Sequence, residues 1–174
     1  MSAGRPDAAR VLELCRAQGW TLGVAESLTG GALTSALVEV PGASAVLRGG
    51  VVAYATDLKA RLLGVDGELL SRLGPVAGPT ALAMAAGVRR ATGSDVGVAT
   101  TGVAGPDPQD GHAPGLVFVA VVAPGSTVVR ELHLDGGRAA VRASAVDAAL
   151  TLALDVLREP GGVGAGGPEI SPRA

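Results

Sequence analysis

The sequence predicts an α/β fold, namely a single three-layer α/β/α domain with a mixed β-sheet. Segments of strand type alternate with segments of helical periodicity, which is the pattern of a parallel sheet covered by helices. Two consecutive strand segments are separated only by Pro124-Gly125-Ser126, which adds an antiparallel hairpin. Hydrophobic residues make up 48% of the 174 residues, but the chain has only one Trp, one Tyr and one Phe. The core must therefore be built from Ala, Val and Leu.

The first half of the chain alternates between the two kinds of segment. Val11, Leu12 and Cys15 share one face of a predicted first helix, and Pro79 stands at the first position of a longer one. In order, the predicted elements are a helix at Asp7–Arg16, a strand at Thr21–Ala25, a helix ending near Val38, a strand at Gly50–Ala55, and helices at Asp57–Leu63, Glu68–Leu73 and Pro79–Ala91.

The second half contains a strand of buried type and a long helix. Its predicted elements are strands at Val96–Thr101, Leu116–Val122 and Thr127–Leu134, then a helix at Arg138–Arg158 with an apolar stripe. Beyond this helix the chain is rich in Gly, Pro and polar residues. We therefore predict a folded domain over residues 1–158 and a disordered tail over 159–174.

Composition excludes several classes of function. The net charge is −2 and three aromatic rings are too few for a base-stacking surface, which argues against nucleic-acid binding. The single cysteine excludes an intrachain disulfide and a multi-cysteine metal site, and we expect no metal and no cofactor. No apolar stretch is long enough to span a membrane, and no signal-peptide pattern is present. We expect a cytoplasmic protein that binds neither membranes nor nucleic acids.

Three glycine-containing turns follow strands, at residues 26–31, 102–106 and 136–137. Backbone amides at such turns can bind an anion. The third turn precedes Arg138 and Arg142, four residues apart on the first turns of a helix, which would add two guanidinium groups to the amides. Each turn could also be an ordinary connection in a glycine-rich chain. None matches a Walker or dinucleotide-binding pattern.

The only lysine and the only tyrosine of the chain, Lys59 and Tyr54, stand five residues apart. A lysine whose pKa is lowered by burial can act as the base for a serine hydroxyl, and a neighbouring tyrosine can orient or relay the proton. We take Ser44 as the candidate serine. The alternative is a solvated surface lysine and a tyrosine that anchors an interface.

At these residues the sequence resembles the C-terminal domain of the competence/damage-inducible protein CinA, the nicotinamide mononucleotide amidohydrolase family. The resemblance covers roughly residues 7–158. The matching segments are Ala25-Glu26-Ser27-Leu28-Thr29-Gly30-Gly31, Pro41-Gly42-Ala43-Ser44, Arg48-Gly49 with Tyr54 and Lys59, Thr101-Gly102-Val103-Ala104-Gly105-Pro106, Pro114-Gly115 and Gly137-Arg138.

The resemblance implies hydrolysis of the carboxamide of nicotinamide mononucleotide, with Ser44 as nucleophile, Lys59 as base and Tyr54 assisting. It implies no cofactor and a small nucleotide as substrate. The residues expected to contact that substrate are Ser27, Thr29, Gly30, Thr101, Gly102, Gly105, Arg138 and Arg142. We also expect a homo-oligomer. Two alternatives stay open, namely a non-catalytic nucleotide-binding or protein-interaction module and an amidase of another small carboxamide.

Overall fold

The computed structural model describes residues 5–158, which form six α-helices and a five-stranded sheet. The predicted tail over residues 159–174 lies outside the described residues. In chain order the elements are α1 (Pro6–Ala17), β1 (Leu22–Glu26), α2 (Ala32–Val38), a 3-10 turn (Ala43–Ala45), β2 (Leu47–Val52), α3 (Thr56–Leu63), α4 (Gly67–Leu73), α5 (Gly78–Thr92), β3 (Val96–Gly102), β4 (Leu116–Ala123), β5 (Ser126–His133) and α6 (Arg138–Arg158).

The sheet is mixed, as the sequence predicts. Its strand order is β2-β1-β3-β4-β5. Strand β1 pairs in parallel with β2 and with β3, whereas β3–β4 and β4–β5 are antiparallel. The β4–β5 pair is the predicted hairpin, since its register runs from Ala123 opposite Ser126 outward.

Two apolar layers cover the two faces of the sheet, which confirms the three-layer prediction. On one face α1, α2 and α6 pack on Leu22, Val24, Val96 and Val98. On the other face α3, α4 and α5 pack on Ala25, Ala99 and Ala120. Because side chains alternate along a strand, the valines face one helix layer and the smaller alanines face the other.

Small residues let α5 approach its neighbours closely. A Cβ atom on Gly97 of β3 would stand 2.0 Å from the carbonyl oxygen of Ala85 on α5. A Cβ atom on Gly87 of α5 would stand 2.0 Å from the carbonyl oxygen of Leu63 on α3. The scarcity of large side chains thus matches a core in which helix and strand backbones nearly touch.

The second strand is displaced from its predicted position. The sequence predicts it at Gly50–Ala55, whereas β2 covers Leu47–Val52. Main-chain pairing with β1 begins at Leu47, and the register shifts between Leu22 and Gly23 so that Gly49 rather than Arg48 faces Gly23. Pairing through this irregularity extends the strand over two glycines. Glycine has a weak strand propensity, so the sequence gives no clear signal for this part of β2.

Candidate active site

The carboxyl ends of β1, β2 and β3 lie side by side at one edge of the sheet, because the three strands are parallel. The chain leaves β1 through α2 on one face and returns from β2 to β3 through α3 to α5 on the other face. From β1 the chain runs to β2 on one side of it, and from β2 it crosses back to β3 on the other side. The direction of the connections therefore reverses at β1. In open α/β sheets, ligands bind in the crevice at such a point.

A cavity of about 360 Å³ opens at this edge. Ser27, which follows β1, and Lys59, from α3, both line it. Its other walls are residues 101–109, which form the end of β3 and the loop that follows, and residues 75–76 before α5, and Tyr54 and Arg138 stand beside them. The volume falls in the range typical of small-molecule sites.

Lys59 is the central side chain of the cavity. Lys59 is only 1% exposed, and its Nζ donates to Ser27 Oγ at 3.1 Å and to the carbonyl oxygen of Ala53 at 2.9 Å. Burial lowers the pKa of Lys59 to about 8, and the negative charge of Asp110 opposes that shift. Lys59 and Leu63 stand four residues apart on the same face of α3, which carries both side chains inward.

Two backbone hydrogen bonds hold Ser27 in place. Its amide N–H donates to the carbonyl oxygen of Thr100 on β3 at 3.0 Å, and its carbonyl oxygen accepts from Gly30 N–H at 3.1 Å. The residue is 8% exposed, so its hydroxyl lies at the floor of the cavity beside Lys59 Nζ. This arrangement pairs a hydroxyl nucleophile with a base within hydrogen-bond reach.

Tyr54 and Arg138 form the outer part of the cavity. The Tyr54 hydroxyl accepts a hydrogen bond from Arg138 Nη2 at 2.9 Å, and Arg138 Nη1 donates to the carbonyl oxygen of Gly105 at 2.9 Å. Tyr54 is 58% exposed. The guanidinium group thus links the loop after β2 to the loop after β3, and the tyrosine keeps its own hydroxyl proton available for donation.

The structure places five of the eight predicted substrate contacts on the cavity, namely Ser27, Thr101, Gly102, Gly105 and Arg138. The hydroxyl of Thr101 donates to the carbonyl oxygen of Pro75 at 2.7 Å and so ties β3 to the segment before α5. Thr101 therefore contributes to the wall mainly by holding it in place.

Thr29, Gly30 and Arg142, which the sequence also predicts as substrate contacts, do not line the cavity. The Thr29 hydroxyl is buried against the Thr100 hydroxyl at 2.8 Å. Gly30, with φ of 60°, closes the turn behind Ser27. Arg142 Nε and Nη2 donate to the carbonyl oxygens of Leu28 and Thr29 at 3.0 and 2.7 Å. All three hold the Ser27 loop from behind.

The structure does not bring Ser44, the serine expected from the sequence, to Lys59. Ser44 lies in the 3-10 turn before β2, two residues before Val46, whose carbonyl oxygen accepts from Leu22 N–H at the start of β1. It lines a separate groove formed by α2 and residues 40–49. Lys59 follows the other end of β2, and a six-residue strand is about 20 Å long. The two side chains therefore stand at opposite edges of the sheet.

Three acidic residues of the site are not among the candidate site residues that the sequence predicts. Asp107 lines the cavity, and Asp110, three residues on, is close enough to act on Lys59. Glu26, the last residue of β1, is fully buried. Its carboxylate accepts from the amides of Gly31, Leu33 and Thr34 and from the Thr34 hydroxyl at 2.7–3.0 Å. A buried acid directly before Ser27, at a strand end, is the signal that could have pointed to that loop.

Other kinds of site find no support within residues 5–158. There, no three His, Cys, Asp or Glu side chains cluster as metal ligands would. None of the helices over that range is both long and apolar enough to cross a membrane.

Comparison with known proteins identifies relatives over nearly all of the described chain. The family model of the CinA C-terminal domain matches residues 5–157. A CinA-like protein of Frankia casuarinae is 51% identical over 142 residues, which are 82% of this chain and 33% of that protein. A putative competence-damage inducible protein of Bacillus subtilis is 45% identical over 80% of this chain and 34% of that protein. The chain thus spans about a third of the length of these curated relatives.

Solved structures agree with these sequence matches. A competence-damaged protein (CinA) superfamily protein from Klebsiella pneumoniae superposes with a TM-score of 0.83 at 31% identity, covering 87% of this chain and 96% of that one. The competence/damage inducible protein CihA from Agrobacterium tumefaciens gives 0.81 at 35% identity, covering 91% and 100%.

Proposed function

The chain belongs to the CinA C-terminal domain family, and from that premise and the site geometry we propose that it is an amidohydrolase. Its reaction would convert nicotinamide mononucleotide to nicotinic acid mononucleotide and ammonia, the activity that the sequence resemblance implies. The observation that carries the proposal is the 3.1 Å hydrogen bond between buried Lys59 Nζ and Ser27 Oγ at the floor of the cavity.

Ser27 replaces Ser44 as the proposed nucleophile. Neutral Lys59 accepts the proton of the Ser27 hydroxyl while Oγ attacks the carboxamide carbon. The lowered pKa of Lys59, about 8, keeps part of the lysine neutral near physiological pH. The protonated lysine then donates to the amide nitrogen, and ammonia leaves. Water, deprotonated by the same lysine, hydrolyses the acyl-enzyme and releases the carboxylate.

The charges around the cavity suit a nucleotide that carries both signs. Arg138 would approach the phosphate, and its guanidinium already bridges two loops at the rim. Asp107 lies on the same cavity and would favour the positive pyridinium ring of the mononucleotide over a neutral ring. Neutral nicotinamide lacks both charged groups.

Tyr54 has a supporting role in this proposal. The Tyr54 hydroxyl oxygen accepts from Arg138, so the hydroxyl proton points away from the guanidinium group. Because Tyr54 lines the cavity, a bound substrate would supply the acceptor for that proton. The tyrosine can therefore donate to a substrate oxygen or assist proton transfer to the leaving nitrogen.

The test is a substrate panel read by ammonia release. Purified chain is incubated with nicotinamide mononucleotide, nicotinamide and the dinucleotide. We expect turnover of the mononucleotide and at least about a hundredfold lower kcat/KM for nicotinamide, which lacks the charged groups. Binding of the mononucleotide without ammonia release would contradict the proposal and favour the non-catalytic module.

A further inference from the structure

The loop after β1 leaves one amide group unused at the cavity. Within the part of the chain that the structure describes, the amides of residues 27 and 30–34 all have acceptors. Ser27 donates to Thr100, Gly30 to Ser27, Ala32 to Thr29, and Gly31, Leu33 and Thr34 to the Glu26 carboxylate. Over the same described residues, the amides of Leu28 and Thr29 donate to no protein acceptor. Only Leu28 of these two lines the cavity.

An unpaired amide beside a nucleophile needs an explanation, because nearly all buried N–H groups in proteins have a partner. Leu28 is 4% exposed, so bulk water is not a general partner for its backbone. A substrate oxygen that arrives in the cavity would complete the pairing.

The direction of this N–H is set by the turn. The C=O and N–H of a trans peptide point in opposite directions. The Ser27 carbonyl points into the turn, where Gly30 N–H donates to it at 3.1 Å. The Leu28 N–H, on the same peptide, therefore points out of the turn.

Two side chains keep the turn in this shape. Arg142 holds the carbonyl oxygens of Leu28 and Thr29, and Glu26 holds the amides that follow Gly30. Neither Arg142 nor Glu26 lines the cavity. They fix the loop from behind, so the Leu28 N–H has little freedom to turn away from the reacting group.

We propose that the Leu28 N–H is an oxyanion-stabilising donor of this site, oriented by Arg142 and Glu26. This inference rests on the proposed function, with Ser27 as nucleophile. When the Ser27 Oγ–carbon bond forms, the carbonyl π electrons move to the oxygen, and the N–H of the next residue is within reach of that alkoxide. The residue after the nucleophile supplies such a donor in other serine hydrolases. Electrostatic stabilisation of this kind acts on the transition state more than on the bound substrate.

The test removes this one N–H while retaining the side chain. Leucic acid is introduced at position 28, so that an ester oxygen replaces the Leu28 nitrogen. We expect kcat for the mononucleotide to fall about 10²–10³-fold, with KM changed by less than about threefold.

The control is a second ester, with glycolic acid at position 30. The first ester also weakens the Ser27 carbonyl as an acceptor, and the position-30 ester removes the donor to that same carbonyl without touching the Leu28 N–H. We expect it to keep kcat within about tenfold of the parent. An equal loss in both esters, or a position-28 ester that retains the parent kcat, would overturn the inference.

A second readout separates this inference from the identity of the substrate. A fluorophosphonate phosphonylates an activated serine: the Ser27 Oγ–P bond forms, the P–F bond breaks, fluoride leaves and Lys59 takes the proton. The phosphoryl oxygen occupies the place of the oxyanion. We expect the position-28 ester to be labelled at least about tenfold more slowly than the position-30 ester.

The outcomes for the parent protein are distinct. If the parent is labelled at Ser27 but releases no ammonia from the mononucleotide, the proposed function fails and the two labelling rates still decide the role of Leu28. If the parent neither reacts with the fluorophosphonate nor releases ammonia, Ser27 is not a nucleophile and the inference is overturned with it.

Discussion

Lys59 Nζ donates to Ser27 Oγ at 3.1 Å, although the two residues are 32 positions apart in the chain. Parallel pairing of β1 with β2 explains the contact. Ser27 directly follows β1, and Lys59 lies in the helix that follows β2, so both reach the same edge of the sheet. The lysine is buried, which disfavours its charged form and lowers its pKa.

Removing the serine hydroxyl distinguishes the two candidate nucleophiles. We expect Ser27→Ala to lower kcat for the mononucleotide by about 10³-fold or more, because no other hydroxyl contacts Lys59 in the described chain. The matched control is Ser44→Ala, at the opposite edge of the sheet, which we expect to retain the parental kcat. Loss of ammonia release in Ser44→Ala with activity retained in Ser27→Ala would reverse this assignment.

The pH dependence reports on Lys59. Because the active form of a base is the neutral one and its pKa is about 8, kcat/KM should rise with pH and level off above pH 8. About a tenth of the lysine is neutral at pH 7 on this value.

Asp110 provides a directional check of that profile. Its negative charge raises the pKa of Lys59, so Asp110→Asn should move the midpoint of the kcat/KM profile to lower pH. Activity at pH 7 should then be higher relative to the plateau. A midpoint that stays in place, or moves to higher pH, would show that Lys59 is not the titrating base.

Tyr54 and Arg138 should act as a coupled pair. We expect Tyr54→Phe to lower kcat about tenfold to a hundredfold, and to have a smaller effect in an Arg138→Gln background, since the 2.9 Å hydrogen bond is already lost there. The measurement is a double-mutant cycle on kcat. Arg130→Gln is the control, because Arg130 pairs with Asp155 on the surface instead. Fully additive effects of the two substitutions would contradict the coupling.

Two helical glycines test the close packing of the core. Gly87→Ala should lower the free energy of unfolding by about 2–3 kcal/mol, because the new methyl group would meet the Leu63 carbonyl of α3. Gly67→Ala, at the start of α4 with no heavy atom within 4 Å of the added Cβ, should leave it unchanged or raise it by up to about 1 kcal/mol. Urea denaturation of both variants measures the difference, and equal midpoints would mean that α3 and α5 can separate at little cost.

Much of the fold follows from local patterns in the sequence. Apolar strand segments, helical periodicity and the Pro124-Gly125-Ser126 turn predict the order of the elements and the hairpin. These predictions agree with the structure because each pattern depends only on residues that are close together in the chain. The strand β2 begins at Leu47, before its predicted start at Gly50, because its pairing with β1 runs through two glycines that carry no local strand signal.

The sequence by itself also singled out Lys59, Tyr54 and Arg138, through their rarity or their position after a glycine turn, and all three line one cavity. The sequence predicts that Arg142 acts together with Arg138, because the two stand four residues apart. Four residues of helix rise by about 6 Å, and that displacement takes Arg142 behind the Ser27 loop while Arg138 reaches Tyr54.

Only the tertiary structure decided which serine meets the lysine. Ser44 is nearer to Lys59 in the chain than Ser27 is, but one strand separates Ser44 from Lys59 in the fold. Chain distance is a poor guide here because a strand carries the chain about 3.3 Å per residue in one direction, while parallel pairing returns distant segments to the same edge. The contacts of Glu26 and Arg142 likewise hold the loop in a shape that leaves the Leu28 amide without a protein acceptor. The residues of a loop do not by themselves determine its hydrogen-bond partners, because those depend on which distant side chains the fold brings near it.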